Sequence, residues 1–496
     1  MAHAVSPLPS GEPSPPGPTG PDPSPRSELS RESVRRKPTR TLSGVAVVAV
    51  MTAPAPCPHG TCRYCPGGLA RRSPQSYTGE EPSAMRAAQY GYDAATITRE
   101  RLRTLEEIGH PTSKVEVIVQ GGTFPARPWG HQESVFRGIF EGLNGAPAAS
   151  LADAQHVNEE AARRCVGLTV ETLPDWCDER VLPALIGAGV TRVEIGVEGL
   201  RADVLEAVGR AHDPPAVIRA SREARDRGLK VCYHLMLGLP GMDPTRDLED
   251  LNRLFEDPAF RPDMLKIYPT LVIPGTGLFE DWQAGRYEPY DTETAATVLA
   301  AFKARLPPWV RIQRIQRDIP ARLIAAGVRH GNLRQIALER LARAGRRCPC
   351  LRCREYGRRA SPPMEEFRLT ELEYAAGGGR ERFLAYEEPE SGTVAGFLRL
   401  RFPSSDTPGG LDGPVVRELK VLGRELAVGS AAGARSAQHR GLGRSLVAEA
   451  ARRAEESGAP RLYVRSAVGT RSYYRRLGFE DRAGELSLPL VGRAGF

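Results

Sequence analysis

From residue 44 to residue 315 short apolar runs recur along the chain, separated by stretches whose apolar positions fall at helical spacing. The runs are GVAVVAVM from residue 44, VEVIVQGG at 115–122, CVGLTVET at 165–172, RVEIGVEG at 192–199, KVCYHLML at 230–237 and MLKIYPTL at 264–271. Helical patterning such as VIRASREARDRG lies between them. Spacings of about 25 to 50 residues predict repeated βα units and a parallel sheet. Such a sheet is doubly wound or closed as a barrel, and about six units suit a full or partial barrel. Barrel chemistry gathers at the C-terminal strand ends. Here those ends are followed by Cys57 onward, Gly121 and Gly122, Glu171 and Glu198.

The pattern then changes. VRIQRI at 310–315 and LRQIALERLARA at 333–344 keep strand and helix spacing inside a basic stretch that leads to CPCLRC. After Ser361, FLAYEE, TVAGFLRLRFP and VVRELKVLG look like antiparallel strands, and QHRGLGRSLVAEAARRAEESG reads as a loop opening into an amphipathic helix. We therefore expect a βα domain over 44–315, a basic linker over 316–360 and an α+β domain over 361–496. Residues 1–25 hold nine prolines and no aromatic residue, the composition of a disordered tail. Residues 26–43, with RSELSRESVRRKPTR, are a basic arm touching a polyanion or an ordinary solvated linker.

At 496 residues, 41% apolar and 26% charged, the chain has the makeup of a soluble protein of about two to four domains. No apolar segment resembles a signal peptide or reaches spanning length, so a cytoplasmic protein without a membrane partner is expected. There the nine cysteines are thiols, and clustered ones are metal ligands or catalytic groups. Between Ala301 and Ala360 sixteen Lys and Arg face three Asp and Glu, a local +13 in a chain of net +8. A folded patch of that sign suits RNA or DNA phosphates.

CPHGTCRYC carries Cys57, Cys62 and Cys65. A structural zinc site wants four ligands, and only His59, inside the PHGT turn, lies near enough to complete one. Three thiolates on an iron–sulfur cube leave one iron open, and the spacing favours that reading over zinc. Cys348-x-Cys350-x2-Cys353 is too compact for such a loop and reads as a small structural zinc site, with His330 as a candidate fourth ligand. Cys165, Cys177 and Cys232 stand singly in apolar contexts and read as core. Gln438-His439-Arg440-Gly441-Leu442-Gly443 opens a helix, where glycines let backbone N–H groups approach a pyrophosphate.

The three-cysteine loop after a first barrel strand, Tyr64 before its last cysteine and QGGT at 120–123 resemble the radical SAM enzymes. The Q-x-x-G-x-G loop between VVRELKVLG and YYRRLGF resembles the GNAT acetyltransferases. In order, KPTRTLSGVAVVAVM, CPHGTCRYCPGG, VQGGTF, IYPTLVIPGTGL, RIQRDIP, GVRHGNLRQ, RELKVLG, QHRGLG and GTRSYYRRLGF resemble the Elongator catalytic subunit family, the tRNA wobble-uridine carboxymethyl synthases. That resemblance implies a radical SAM partial barrel, a basic zinc-bearing linker and a GNAT domain. It also implies a 4Fe–4S cluster on Cys57, Cys62 and Cys65 whose open iron binds S-adenosylmethionine, with Gly121, Gly122, Thr123 and Glu171 among the cofactor contacts.

Lys114, Glu418, Leu419, Lys420, Val421, Gln438, Gly441, Leu442, Gly443 and Arg444 would bind acetyl-CoA, with Tyr474 at the thioester and Tyr473 beside it; packing against the final strand is the alternative role for both tyrosines. In the family reaction a deoxyadenosyl radical takes hydrogen from the acetyl methyl group, the carbon radical adds to C5 of the wobble uridine, and thioester hydrolysis leaves 5-carboxymethyluridine. The implied partners are tRNA, an external electron donor and accessory subunits. Leu173, where the family often has arginine, and the loose AAGARSA segment before Gln438 depart from its pattern. Two other classes compete: a protein lysine acetyltransferase with the barrel as scaffold, and a non-enzymatic RNA-binding metalloprotein.

Overall fold

The computed structural model describes residues 38–426, 437–482 and 484–490. The tail expected at 1–25, the arm as far as Lys37 and most of AAGARSA lie outside the described residues. The first sheet holds seven parallel strands in sequential order: β1 Ala46–Met51, β2 Lys114–Gln120, β3 Arg164–Thr172, β4 Arg192–Glu198, β5 Lys230–Leu237, β6 Met264–Pro269 and β7 Arg311–Ile315. Helices cross between them, and several begin where an Asp side chain caps the first turn: Asp93, Asp213, Asp243 and Asp291 each accept a backbone N–H.

Alternation along the strands divides their residues between two environments. Val115, Val117 and Val119 join Phe124, Phe136, Ile139 and Phe140 in the core under the helices. Glu116 and Gln120 point the other way, into an interior shared with Glu171, Arg192, Glu194, His234 and Lys266 through the contacts given below. Val47 and Ala49 of β1 border one cavity together with Lys266 and Tyr268 of β6 and Gln313 of β7. The two ends of the strand order therefore face each other across an opening, and the sheet is a partial barrel with a lateral gap.

The second sheet also has seven strands, in the order β13-β14-β12-β11-β10-β9-β8. They are β8 Arg368–Ala376, β9 Gly379–Glu387, β10 Val394–Phe402, β11 Val415–Val421, β12 Arg461–Val464, β13 Glu480–Arg482 and β14 Glu485–Pro489. All neighbours are antiparallel except β11 and β12, which pair only at Val415 with Tyr463 and Val416 with Val464. Beyond that point β11 and β12 splay, and the helix Leu442–Glu456 covers the face beside the split. The outer strand β8, mostly exposed, has no counterpart among the strands read from sequence.

Arginines of the second sheet lock the two units together. Arg399, Arg401 and Arg417 are each at most 1% exposed. Arg417 donates to Asp263 at 2.8 and 2.6 Å and to the Leu229 carbonyl at 2.9 Å, Arg401 to Asp226 at 2.6 Å and Glu381 at 3.0 Å, and Arg399 to Glu418 at 2.8 Å. Burial alone would raise the Asp263 carboxyl; Arg417 and Arg399 outweigh it and hold it well below the usual carboxylate range. The basic stretch is part of the same join, with Leu351 N–H bonded to Val310 and Glu355 bridged to Val394. Much of its charge is internally matched: Arg311 and Arg358 pair with Glu355, and Arg354 with Glu387.

Among the described residues no helix is long and apolar enough to cross a membrane.

Candidate active site

The loop after β1 brings the first cysteines to the C-terminal end of the barrel. Thr123 Oγ1 lies 3.8 Å from Cys57 Sγ, Cys65 Sγ lies 3.0 Å from Gln75 Oε1, and the Ser76 N–H points at Cys65 Sγ from 3.2 Å. Arg210, just past the helix Ala202–Ala207 that follows β4, reaches Cys62 Sγ at 4.0 Å. Gly121 has φ +126°, and a Cβ there would sit 2.5 Å from Thr52 Oγ1, so only glycine lets β2 end against β1 in this way. Burial pushes all three thiols up, opposed mainly by Thr123 at Cys57, by Arg210 at Cys62 and by the Ser76 N–H at Cys65. Burial, and then Arg210, lower His59 to about 4. At neutral pH its imidazole is uncharged, with Nε2 3.2 Å from Cys62 Sγ.

The two cysteine trios differ in span. The ligand atoms of Cys348, Cys350 and Cys353 all lie within 4.8 Å of one another, whereas those of Cys57, Cys62 and Cys65 do not form such a group. Bonds of about 2.3 Å to one tetrahedral zinc hold sulfurs roughly 4 Å apart, so the compact trio suits one ion and the wide trio suits a larger cluster. His330 does not join the compact trio: it is exposed, outside the group of gathered ligand atoms. The group beside the thiols is Lys303, whose Nζ lies 3.1 Å from Cys348 Sγ and 3.9 Å from Cys353 Sγ. Burial would lower that ammonium, but the three thiols outweigh it and raise it.

At the opposite end of the barrel a cavity of about 410 Å³ opens between the two sheets. One wall is the splayed part of β11, Glu418 to Val421, with Gln438, Gly441, Leu442, Gly443 and Arg444 at the start of the Leu442–Glu456 helix and both Tyr473 and Tyr474. The other wall is made by the strand starts of the barrel, with Lys114, Glu116, Arg192 and Lys230. Lys114 Nζ donates to Gln438 Oε1 at 2.9 Å, and Gln438 Nε2 to the Val421 carbonyl at 3.2 Å, so the glutamine ties the loop to both walls. A Cβ on Gly443 would meet Tyr473 Oη at 2.8 Å. Burial pushes the Tyr473 phenol up to about 12 and Tyr474 higher, leaving both protonated donors at neutral pH.

A file of charged side chains connects the two ends through the barrel. Lys420 Nζ donates to Glu116 at 2.8 Å; Arg192 lies 3.8 Å from Glu116 and 3.4 Å from Glu194. Glu194 accepts from Lys266, with His234 Nε2 at 2.9 Å; Lys266 lies 4.0 Å from Glu171, and Tyr77 Oη donates to both Glu171 oxygens at 3.4 Å. Burial would raise Glu116, but Lys420 and Arg192 outweigh it and hold it at about 2. The ligand atoms of Glu194, Cys232 and His234 also gather within 4.8 Å, yet the Lys266 ammonium supplies the positive charge there. Outside the barrel, Arg314, Arg317, Arg322, Arg329, Arg334 and Arg352 border a shallow groove of about 780 Å³.

The structure thus gathers the acetyl-CoA candidates around one cavity and the cysteine-loop candidates with Thr123 at the other end, and leaves His330 apart from its trio. Gln75, Tyr77, Arg210, Lys266 and Lys303 are not among the site residues that the sequence marks. None sits in a motif, and only Lys266, a lysine inside the apolar run MLKIYPTL, carried a signal of its own.

Comparison with known proteins adds three family matches: the Radical SAM superfamily over residues 56–254, the Radical_SAM C-terminal domain over 262–343 and the Acetyltransferase (GNAT) family over 350–479. The chain is 44% identical over 458 residues to a tRNA uridine(34) acetyltransferase of Methanocaldococcus jannaschii, covering 90% of this chain and 85% of that one. A tRNA uridine(34) acetyltransferase of Dehalococcoides mccartyi is 46% identical over 457 residues, 90% and 98% of the two chains. Elongator complex protein 3 of Homo sapiens is 43% identical over 465 residues, 90% and 84%. The solved structure of the archaeal Methanocaldococcus infernus Elp3 with an N-terminal deletion superposes with a TM-score of 0.80 at 38% identity, covering 91% of this chain and 100% of that one.

Proposed function

The chain belongs to the tRNA uridine(34) acetyltransferase family, which includes Elongator complex protein 3, and we propose that it carboxymethylates C5 of the wobble uridine of tRNA with acetyl-CoA as carbon source. Cys57, Cys62 and Cys65 would hold a 4Fe–4S cluster, and their sulfurs, less closely gathered than those of the compact trio, fit that larger group. When bound, the cluster and S-adenosylmethionine, reduced by an external electron donor, supply the radical chemistry that takes a hydrogen atom from the acetyl methyl carbon. Gly121, Gly122, Thr123 and Glu171 line that end of the barrel and orient the cofactor. Arg210 and the Ser76 N–H oppose the upward push of burial on Cys62 and Cys65, in the direction of the thiolate form that iron requires.

At the other end, the N–H groups opening the Leu442–Glu456 helix take the pyrophosphate of acetyl-CoA, assisted by Lys114. The splay after Val416 leaves the β12-facing edge of β11 from Glu418 to Lys420 without a strand partner, open to the pantetheine arm. Tyr474 and Tyr473, both protonated, hold the thioester and return a proton to the thiolate released on hydrolysis. The arginine groove binds tRNA phosphates, and a structural zinc on Cys348, Cys350 and Cys353 braces it. A tRNA substrate sets the work in the cytoplasm, with accessory subunits as further partners.

The observation that carries this reading is the charged file from Lys420 to Tyr77, which joins the acetyl-CoA cavity to the cysteine loop inside one barrel. A protein acetyltransferase with a scaffold barrel has no need of it. The test is to incubate reconstituted protein with S-adenosylmethionine, acetyl-CoA, a reductant and tRNA, and to analyse the nucleosides by mass spectrometry. We expect 5-carboxymethyluridine; an intact cluster with no such nucleoside, or efficient peptide acetylation without tRNA, would overturn the assignment.

A further inference from the structure

The lateral gap of the barrel leads into a cavity of about 320 Å³, at the small end of the roughly 300–1,000 Å³ typical of ligand sites. Nothing in the reaction outlined above occupies it. Its walls come from both edges of the open barrel: Val47 and Ala49 on β1, Gln120 on β2, Lys266 and Tyr268 on β6, and Gln313 on β7. Val47 is an apolar side chain left 42% exposed on the β1 edge.

Two features mark a built site for a flat polar ring. Gln120 is only 6% exposed, yet its Oε1 has no hydrogen-bond partner among the described residues. An unmatched buried amide oxygen costs roughly 1–3 kcal/mol unless something donates to it. Gln313, across the gap, gives its amide N–H to the thioether of Met264, a weak acceptor. Arg317 stands over the rings of both Tyr77 and Tyr268, 5.5 and 5.9 Å from their centroids, and makes no ion pair among the described residues. Two carboxamides, two aromatic rings and a guanidinium plane therefore converge on one small space.

The rim is cationic on both sides. Arg86 and Arg101 border the cavity near β1 without an ion pair among the described residues, and Arg317 and Arg314, the latter paired with Asp318, border it near β7, continuous with the outer arginine groove. Burial, and then Arg86 and Arg40, lower the Arg101 guanidinium to about 10, as expected of cations crowded without an anion. A polynucleotide strand crossing the gap finds cations for phosphates on either side and an aromatic, amide-lined hole between them. Enzymes that act on a base take it out of the stack into such a pocket.

We propose that this lateral cavity receives the extruded target uracil, with Gln120 and Gln313 reading its imide edge and Arg317, Tyr77 and Tyr268 holding its ring. An amide offers an acceptor to N3–H and donors to O2 and O4, the pattern that uracil presents. The inference deepens the tRNA reading and rests on it. Tyr77 also donates to Glu171 beside the cysteine loop, and Lys266 reaches Glu194 on the charged file, so a ring seated here lies between the two ends of the reaction.

The test uses full-length protein and tRNA carrying 4-thiouridine at the wobble position, cross-linked by near-ultraviolet light and mapped by mass spectrometry. We expect the adduct on peptides containing Tyr77, Gln120, Tyr268, Gln313 or Arg317; adducts confined to other peptides overturn the site. In parallel, tRNA with uridine at that position should bind about tenfold more tightly than tRNA abasic there, and Gln120→Leu or Arg317→Gln should reduce the ratio to about twofold or less. Equal affinity of the unaltered protein for the two RNAs also overturns it. The two readings fail separately. Adducts in the cavity without carboxymethyluridine leave the base site standing and remove the chemistry; carboxymethyluridine with adducts elsewhere does the reverse.

Discussion

Replacing Arg417 by Met tests the idea that buried arginines hold the barrel and the second sheet in register. In the native chain Arg417 makes five polar contacts from a buried position: two to Asp263 at 2.8 and 2.6 Å, one to Leu229 at 2.9 Å and two to Glu381 at 2.9 and 3.3 Å. Methionine fills part of the volume and removes the charge. It leaves Asp263 with Arg399 at 3.7 Å and the Val231 N–H, and Glu381 with Arg401 alone. Breaking one side of a buried ion pair costs about 3–5 kcal/mol, a large part of the roughly 5–15 kcal/mol that holds a folded protein together.

The pH dependence gives the sharper readout. Native Asp263 is held below its ordinary 3.8, so its contribution is present above that value and is lost as pH falls through the folded value. Arg417 is the largest influence opposing burial at Asp263, so its removal should raise the folded value above 3.8 even with Arg399 and Arg225 in place. The variant's Asp263 term is then fully present below 3.8 and lost as pH rises through the new value. Urea unfolding from pH 4.5 to 8 should therefore show a deficit against the native chain that is largest near neutrality and shrinks towards acid. A deficit below about 1 kcal/mol at pH 7.5, or one that does not change with pH, would refute the reasoning.

Three further outcomes are expected. Cys62→Ser should abolish iron incorporation, read by metal analysis and the visible absorbance of the reconstituted protein, while acetyl-CoA affinity measured by calorimetry changes less than about threefold, since the loop and the 410 Å³ cavity lie at opposite ends of the barrel. Gly443→Ala drives a methyl against Tyr473 Oη, 2.8 Å away in the native geometry, and should weaken acetyl-CoA binding about tenfold; unchanged affinity would show that the tyrosine moves freely. Lys303→Met removes the ammonium 3.1 Å from Cys348, and zinc retention against a chelator should fall about 10–100-fold, whereas His330→Ala should leave it unchanged.

What the sequence determined by itself is local in origin. Apolar runs such as VEVIVQGG and KVCYHLML, separated by helical patterning, suffice for a parallel βα domain because side-chain alternation and helical periodicity act over a few residues. CPHGTCRYC and QHRGLG likewise declare their chemistry within a dozen positions, through thiol spacing and a glycine-bearing helix start. Strand β8 escaped because EEFRLTELEYAA, exposed along most of its length, lacks the apolar face that makes a strand legible.

Tertiary structure decided whatever depends on partners distant in the chain. Nothing within FLRLRF and VVRELKV marks Arg399, Arg401 and Arg417 as buried, yet all three are, because Asp226, Asp263 and Glu381 arrive from distant parts of the chain to neutralise them. The +13 block similarly divides into arginines matched inside by Glu355 and Glu387 and arginines on a groove, where Arg314 and Arg322 pair with Asp318 and Glu80. Lys303 rather than His330 meets the compact cysteine trio, since proximity there depends on how two helices pack. Burial of a charge depends on the sum of long-range contacts, which no window of sequence contains. Gln120 shows the same limit: beside Gly121 it reads as an ordinary strand end, and only the gap between β1 and β7 gives its amide a space to face.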